Sequence, residues 1–300
     1  MRFGIREICD VVFRAKAKMK VGNKIFYKHE PVIYFDSLKT STLEGAATTV
    51  YAQGGKGNAR LAAWEGERTV TFTMEDALIS TAGLAILTGA GVMDASASKP
   101  VIQHVTEPLT VGENGIVLSN VPYVIEGEHY IYVMKLDDHG NVESEPYIYV
   151  AGEGNAIELL TDNYTADANV PVKGDTVLVD YYTARVSDAQ EITITPDSFG
   201  GNFYVEASTL FRDAGTGVDM PAEFIIPNAK VQSNFTFTMA SSGDPSTFTF
   251  TMDAFPDYTR FNKEEKVYSA IQIITDAVSA DYHRVATVAE GSNDKITDEE

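Results

Sequence analysis

Histidine and acidic side chains are the residues of this sequence best suited to hold a metal ion or to transfer a proton. The histidines are far apart, and no two stand four residues apart, as a helix-borne metal pair requires. They are His29, His104, His129, His139 and His283. Residues 137–143 are similar to a calcium loop, but His139 stands where an oxygen ligand belongs and no Glu closes the loop. The sequence therefore predicts a hairpin turn there and no metal site.

Motifs for nucleophilic or phosphate chemistry are also missing from the sequence. Residues 54–57 (GGKG) lack the Lys-Ser/Thr ending of a phosphate loop, and residues 89–91 (GAG) lack a third glycine. There is no Gly-x-Ser-x-Gly elbow. Cys9 is the single cysteine and can form neither an internal disulfide nor a thiolate zinc cluster. We therefore expect a non-enzymatic protein without a cofactor; acid pairs such as residues 75–76 and 264–265 leave an acidic glycosidase as an alternative.

Charge argues against tight binding of nucleic acid. The 300 residues carry a net charge of −20, and such binding depends on Lys and Arg that displace counterions from phosphates. The first thirty residues are the exception, with eight Lys or Arg against three acids. This basic end indicates either head-to-tail complementarity between copies or a solvated strand. Because Arg6, Asp10 and Arg14 interrupt any apolar signal core and no apolar run reaches about 20 residues, we expect synthesis in a cytoplasm and no membrane span.

Three near-copies of one short sequence segment give the strongest prediction of β-strands. Residues 69–74 (TVTFTM), 234–239 (NFTFTM) and 246–252 (STFTFTM) alternate apolar residues with Thr, which predicts strands with one apolar face and one hydroxyl face. The turn at residues 240–245 predicts that the last two copies face each other as a hairpin. Four phenylalanines are expected on the apolar face: Phe235, Phe237, Phe248 and Phe250.

The remaining segments suggest a mainly β fold with one insertion. Residues 37–63 hold few core-sized side chains and read as a long structureless arm, which is typical of a functional loop. A helix is expected over residues 75–89, with acids at its start and glycine at its end. Short strands with frequent turns predict a small inserted β-sandwich at 113–180, between two parts of a β-barrel at 1–112 and 181–284. Residues 285–300 predict a disordered acidic tail.

Several blocks of the sequence resemble the tail tube (major tail) proteins of tailed bacteriophages. The blocks are residues 61–80 (LAAWEGERTVTFTMEDALIS), 191–197 (EITITPD), 224–239 (FIIPNAKVQSNFTFTM) and 255–257 (FPD). The resemblance spans residues 1–105 and 180–275, and residues 113–180 depart from it. It implies a β-barrel or sandwich with a flanking helix, assembled into rings, usually hexameric, that stack into a hollow tube for DNA.

The resemblance also implies where the protein acts and what it contacts. It would be a virion component of the tail, assembled in the host cytoplasm, that contacts tape-measure, baseplate and terminator proteins and, in a contractile tail, a sheath. We expect the arm to stack rings and Trp64 and Arg68 to anchor its base, either between subunits or within the monomer. The assembly candidates are Lys39, Thr40, Thr42, Tyr51, Lys56, Asn58, Arg60, Trp64 and Arg68.

A carbohydrate-binding or adhesin module is the alternative from a different functional class. Tyrosines cluster in the expected insertion, and their alternation places pairs of them on one strand face, which suits either a sugar-binding platform or a small core. They are Tyr123, Tyr130, Tyr132, Tyr147 and Tyr149.

Overall fold

The computed structural model describes residues 2–5, 7–125, 131–160, 169–236, 241 and 247–275, so the expected acidic tail lies outside the described residues. The chain divides into two compact units, Met1–Val92 with Ile192–Glu300, and Met93–Glu191. The second unit is larger than the insertion expected at 113–180. The reason is that β9 (Val101–Thr110), which the sequence assigned to the first domain, pairs along its whole length with β14 (Thr176–Arg185).

The first unit is built on a nine-stranded sheet. Its strands are β1 (Phe3–Ile5), β2 (Asp10–Ala15), β5 (Pro31–Phe35), β6 (Leu38–Gly54), β7 (Ala59–Asp76), β16 (Asn202–Asp213), β17 (Asp219–Val231), β18 (Phe248–Ala254) and β19 (Ala270–Ile273). The main order is β5-β2-β16-β17-β18-β7-β6, while β1 pairs with β16 and β19 with β17. A short hairpin joins β3 (Met19–Val21) to β4 (Lys24–Phe26), and a separate two-stranded sheet pairs β8 (Gly91–Asp94) with β15 (Gln190–Thr193). The prediction of a mainly β fold is confirmed.

One face of this sheet forms the core of the first unit. Period-two alternation buries Val11, Phe13 and Ala15 on β2 and leaves the residues between them partly exposed. The Phe13 ring lies 5.2 Å from that of Phe35 and 5.3 Å from that of Phe203, between centroids. Each fully buried Phe contributes about 1.5–3 kcal/mol relative to an exposed one. This face therefore holds the unit together.

The flanking helix is shorter than the sequence predicted. Helix α1 spans Thr81–Thr88; the Ser80 Oγ accepts a hydrogen bond from the Gly83 amide at 3.0 Å, and Gly89 ends the helix with φ 69°. The prediction that Glu75 and Asp76 begin the helix was wrong. They end β7 instead, because pairing with β18 keeps them extended.

One pair of the repeated Thr-Phe segments lies on adjacent strands. The hairpin predicted for residues 234–239 and 246–252 falls partly outside the described residues; at its described end Val231 lies opposite Met252, and the Gln232 backbone amide donates to the Thr251 carbonyl at 2.9 Å. The copy in β18 pairs with the copy in β7, with Phe250 opposite Met74 and Met252 opposite Phe72. Residues 234–236 of the third copy are not in a strand, and its residues 237–239, including Phe237, lie outside the described residues. Phe250 is buried in the core and Phe248 packs against it, whereas Phe235 is exposed.

The second unit has its own sheet and core. Its strands are β9, β10 (Ile116–Val117), β11 (Ile131–Lys135), β12 (Tyr147–Ala151), β13 (Ala156–Leu159) and β14. They are hydrogen-bonded in the order β10-β13-β12-β11-β14-β9. Alternate residues of these strands face a common cluster that includes Ile131, Val133, Val177 and Val179.

Candidate assembly surfaces

The longest hairpin of the molecule occupies the segment that the sequence predicted to be a loop. Strands β6 and β7 have 17 and 18 residues and pair from Leu38 opposite Asp76 to Gly54 opposite Ala59. The prediction of a structureless arm at 37–63 was therefore wrong. The shortage of core-sized side chains reflects exposure of both faces of these strands, not a lack of secondary structure.

The outer part of this hairpin, residues 45–70, is here called the ribbon. Strand β18 pairs with β7 only from Thr71 to Asp76, and within the described residues no third strand pairs with the ribbon. Residues 59–69 of β7 are all exposed. With a rise of about 3.3 Å per residue, the ribbon extends about 30 Å from its root. Because an isolated two-stranded hairpin is marginal in water, this element needs further contacts to be firmly held.

The turn of the ribbon has a backbone that glycine and asparagine favour. Gly55, Gly57 and Asn58 have φ values of 78°, 88° and 51°. The Asn58 amide donates to the Gly55 carbonyl at 3.2 Å, and the Asn58 Nδ2 lies 3.3 Å from the Gln53 Oε1. Lys56 lies in this turn and is exposed.

One face of the ribbon is apolar although it is open to water. Val50 lies opposite Trp64, and Ala52 lies opposite Ala62 on the same face. Leu61 joins this face, since its Cδ1 would lie 3.4 Å from a Cβ at Gly54. Val50, Trp64 and Leu61 are 61%, 58% and 70% exposed. Such a patch is typical of a surface that contacts another protein.

The other face of the ribbon carries charged and aromatic groups. The Arg60 guanidinium lies 4.0 Å from the centre of the Tyr51 ring. A register shift between Ala52 and Gln53 makes this possible, because it places Arg60 opposite Gln53, two residues from Tyr51 on one face. Nearer the root, Arg68 and Glu65 form an exposed ion pair at 3.7 Å. The two faces of the ribbon thus offer different chemistry.

The structure separates the predicted assembly residues into three places. Lys39, Thr40 and Thr42 lie at the root; Tyr51, Lys56, Asn58, Arg60 and Trp64 lie on the ribbon and its turn; Arg68 lies beside a hollow between β7 and β19. Trp64 pairs with Val50, well away from the root, so its interpretation as an anchor at the base was wrong.

The root of the hairpin carries a hydroxyl and acidic face opposite the core. Three rows cross β6, β7 and β18: Thr40-Glu75-Thr249, Thr42-Thr73-Thr251 and Glu44-Thr71-Asp253. Residues between these rows, such as Phe72 and Met74, are buried in the core. The rows contain three carboxylates and no cation. Glu44 and Asp253 were not among the predicted residues, although the period-two alternation places them on the hydroxyl face.

The structure decides between the two interpretations that the tyrosine pairs of the second unit allowed. Tyr147 and Tyr149 are buried in its core, and burial raises the pKa of Tyr149 to about 12. For these two residues the small core is confirmed, and they are not part of a sugar-binding surface. Tyr123 and Tyr132 are 36% and 39% exposed, and Tyr130 lies outside the described residues.

In the described part of the chain there is no cluster of three potential metal ligands, and no helix is both long and apolar enough to cross a membrane. A model of the YomU/Tube protein family matches residues 4–268. The chain belongs to the YomU/Tube family. This membership is consistent with a phage tail tube protein and indicates a structural component of a tail. A search of curated protein sequences gave no match.

Proposed function

We propose that this YomU/Tube protein forms homohexameric rings that stack into the tail tube of a phage. Its role is mechanical, without an enzymatic step or a cofactor, and double-stranded DNA passes through the tube without specific binding. The observation that carries this proposal is the ribbon, whose apolar side chains Val50, Leu61 and Trp64 are 61%, 70% and 58% exposed on two strands with which no third described strand pairs.

Stacking gives the ribbon the contacts that it lacks in the monomer. If Val50, Leu61 and Trp64 are buried against the neighbouring ring, each contributes about 1.5–3 kcal/mol before the cost of association is subtracted. Every subunit of a ring makes the same contact, so a ring binds its neighbour through several ribbons at once. A single copy then stays soluble while a growing tube is stable.

The hydroxyl and acidic rows at the root suit the wall of a DNA channel. Glu44, Glu75 and Asp253 repel phosphates, and the Thr side chains offer neutral hydrogen-bonding groups. Without Lys or Arg in these rows, DNA gains nothing from counterion release and slides past. We therefore assign this face to the lumen.

The other partners follow from the same proposal. The ends of the tube meet tape-measure, baseplate and terminator proteins, and the outer surface meets a sheath if the tail contracts. The protein is a part of the virion tail that assembles in the host cytoplasm.

Negative-stain electron microscopy of the concentrated full chain tests the proposal. We expect rings and hollow tubes of uniform diameter. A matched variant, in which an Asn-Gly turn replaces residues 48–67 so that the paired residues Ala47 and Arg68 flank the turn, should keep its fold and give no stacked tubes. Normal tubes from this variant would contradict the stacking role, and a wild-type chain that stays monomeric with and without tail-initiation proteins would contradict the function.

A further inference from the structure

The hairpin β3–β4 has an outer face that combines positive charge with exposed apolar groups. Lys20 lies opposite Ile25 on this face, and the Lys18 Nζ lies 5.8 Å from the centre of the Tyr27 ring. Ile25 and Tyr27 are 55% and 58% exposed. The opposite face is different, since Met19 and Val21 pack against the core of the first unit. Lys18, Lys20, Ile25 and Tyr27 are here called the basic hairpin face.

The surroundings of this hairpin are also positive. Arg14, Lys28, Arg260 and Lys263 lie close to His29 and, after burial of the ring, are the causes that lower its pKa. Arg14 is paired with Glu206 at 2.6 Å and Lys16 with Asp257 at 2.5 Å. Glu30 is the nearby acid, and its carboxylate accepts from the Tyr27 amide. Among the described ion pairs, none involves Lys18, Lys20, Lys24 or Lys28.

A hollow in the same unit has the complementary character. Its lining includes the carboxylates of Glu7, Asp10 and Glu223 and the apolar side chains of Ile8, Pro221 and Ile274; these six residues are here called the acidic hollow. No described cation lies within 4.0 Å of the three carboxylates. Arg212, which interacts electrostatically with Glu7, is held by Asp219 through two hydrogen bonds of 2.6 and 2.7 Å. Arg14, which interacts electrostatically with Glu223, is paired with Glu206.

The two surfaces lie at opposite ends of one strand and cannot meet within one copy. Asp10 begins β2, opposite Ser208, while Ala15 ends it, opposite Phe203. The acidic hollow lies at the Asp10 end, and β3–β4 follows the Ala15 end. The six residues of β2 alone separate these ends by about 17 Å. A contact between the two surfaces therefore joins two copies of the chain.

We propose that the basic hairpin face of one copy docks into the acidic hollow of the next copy. The contact is heterologous, so repetition closes a ring or extends a stack. Lys18 and Lys20 face the carboxylates, and Ile25 and Tyr27 cover Ile8 and Ile274. This inference rests on the proposed self-assembly and adds the surfaces and the polarity of the contact. In this contact the basic first thirty residues of an otherwise acidic protein bind the acidic surface of the next copy.

Charge reversal on each surface provides the test. The basic variant carries Lys18→Glu and Lys20→Glu; the acidic variant carries Glu7→Lys and Asp10→Lys. Each alone should raise the critical concentration for assembly about tenfold or more at low salt. The two pairs combined in one chain keep the wild-type net charge and should restore assembly. A matched control with Lys99→Glu and Lys173→Glu, two exposed lysines of the second unit, should assemble as the wild type does.

A mixing experiment keeps the test independent of tube formation. The two reversed variants are complementary to each other at both surfaces, so their mixture should form 1:1 alternating assemblies in analytical ultracentrifugation at a concentration at which neither variant assembles alone, and about 500 mM salt should dissociate them. Absence of this co-assembly from two folded variants, or wild-type assembly by the basic variant, would overturn the docking contact. Co-assembly of variants whose wild type never forms tubes would instead overturn the proposed tube function and leave the contact standing.

Discussion

The ribbon and the second unit both place aromatic residues on antiparallel strands, yet they expose them to opposite degrees. Tyr51 and Trp64 of the ribbon are exposed, whereas Tyr147 and Tyr149 of the second unit are buried. In the second unit, alternate residues of six strands form one buried cluster together with Val111 and Leu118 from outside the strands. The ribbon has two strands, and no third described strand pairs with it. An aromatic residue on a strand therefore stabilises the monomer only where the same chain supplies side chains that cover it.

Truncation of a core tyrosine should have the largest effect on the monomer. We expect Tyr149→Ala to lower the free energy of unfolding of the second unit by about 3–5 kcal/mol, because it leaves a cavity among packed side chains. Urea unfolding followed by near-ultraviolet circular dichroism measures this change. Trp64→Ala is the matched comparison and should stay within about 0.5 kcal/mol of the wild type. Equal losses in both variants would break the contrast between the two regions.

Alkaline pH should also distinguish the two regions. An unfolded tyrosine ionises near pH 10, whereas Tyr149 keeps its proton to about pH 12 in the folded chain. The folded state therefore holds the extra proton, and stability should fall by up to about 1.4 kcal/mol per pH unit between these two values. Tyr149→Phe should remove this part of the pH dependence, while Trp64→Phe on the ribbon, which removes no titratable group, should leave it unchanged. Thermal unfolding at a series of pH values measures both slopes, and equal slopes in the two variants would contradict the contrast.

The sequence predicted the strands well because alternation is a local property. Period-two Thr and Phe gave the hydroxyl face of residues 69–74 and 248–252, and the structure has both in strands. Alternation could not show that residues 248–252 pair with residues 69–74, since strand pairing depends on contacts between residues far apart in the chain. Nor could it tell a core face from a surface face, and for this reason the sequence left both a sugar-binding platform and a small core open for Tyr147 and Tyr149.

The sequence did not predict the strands of the ribbon for a related reason. Residues 45–58 hold small and polar side chains, which resemble a loop when strands are expected to have a buried face. A two-sided exposed strand has no such face. The register shift between Ala52 and Gln53, which brings Arg60 over Tyr51, also has no signature in the sequence.

Loss of the exposed tryptophan should weaken assembly while it spares the fold. We expect Trp64→Ala to raise the critical concentration for tube formation about tenfold, equivalent to about 1.4 kcal/mol per contact. Light scattering and electron microscopy across a concentration series measure it. Val142→Ala, at an exposed position of the second unit, serves as the control. Unchanged assembly of the Trp64 variant would remove the apolar face of the ribbon from the stacking contact.

Substitutions in the hydroxyl rows should have a smaller effect, which is on the retention of DNA by the assembled tubes. Thr73→Lys and Thr251→Lys add two cations to the proposed lumen face, and the resulting tubes should retain short duplex DNA at low salt but release it as salt rises. Lysine at Thr216, an exposed position outside the rows, is the comparison. Retention by the Thr216 variant alone would place the lumen elsewhere.

Electron cryomicroscopy of assembled wild-type tubes is the decisive test of the proposal that the ribbon stacks rings, because it shows what covers the ribbon. We predict that Val50, Leu61 and Trp64 are buried against the neighbouring ring, while the Thr42-Thr73-Thr251 row faces the channel. Tubes in which the apolar face of the ribbon remains in solvent, or in which this row lies on the outer surface, would contradict the account.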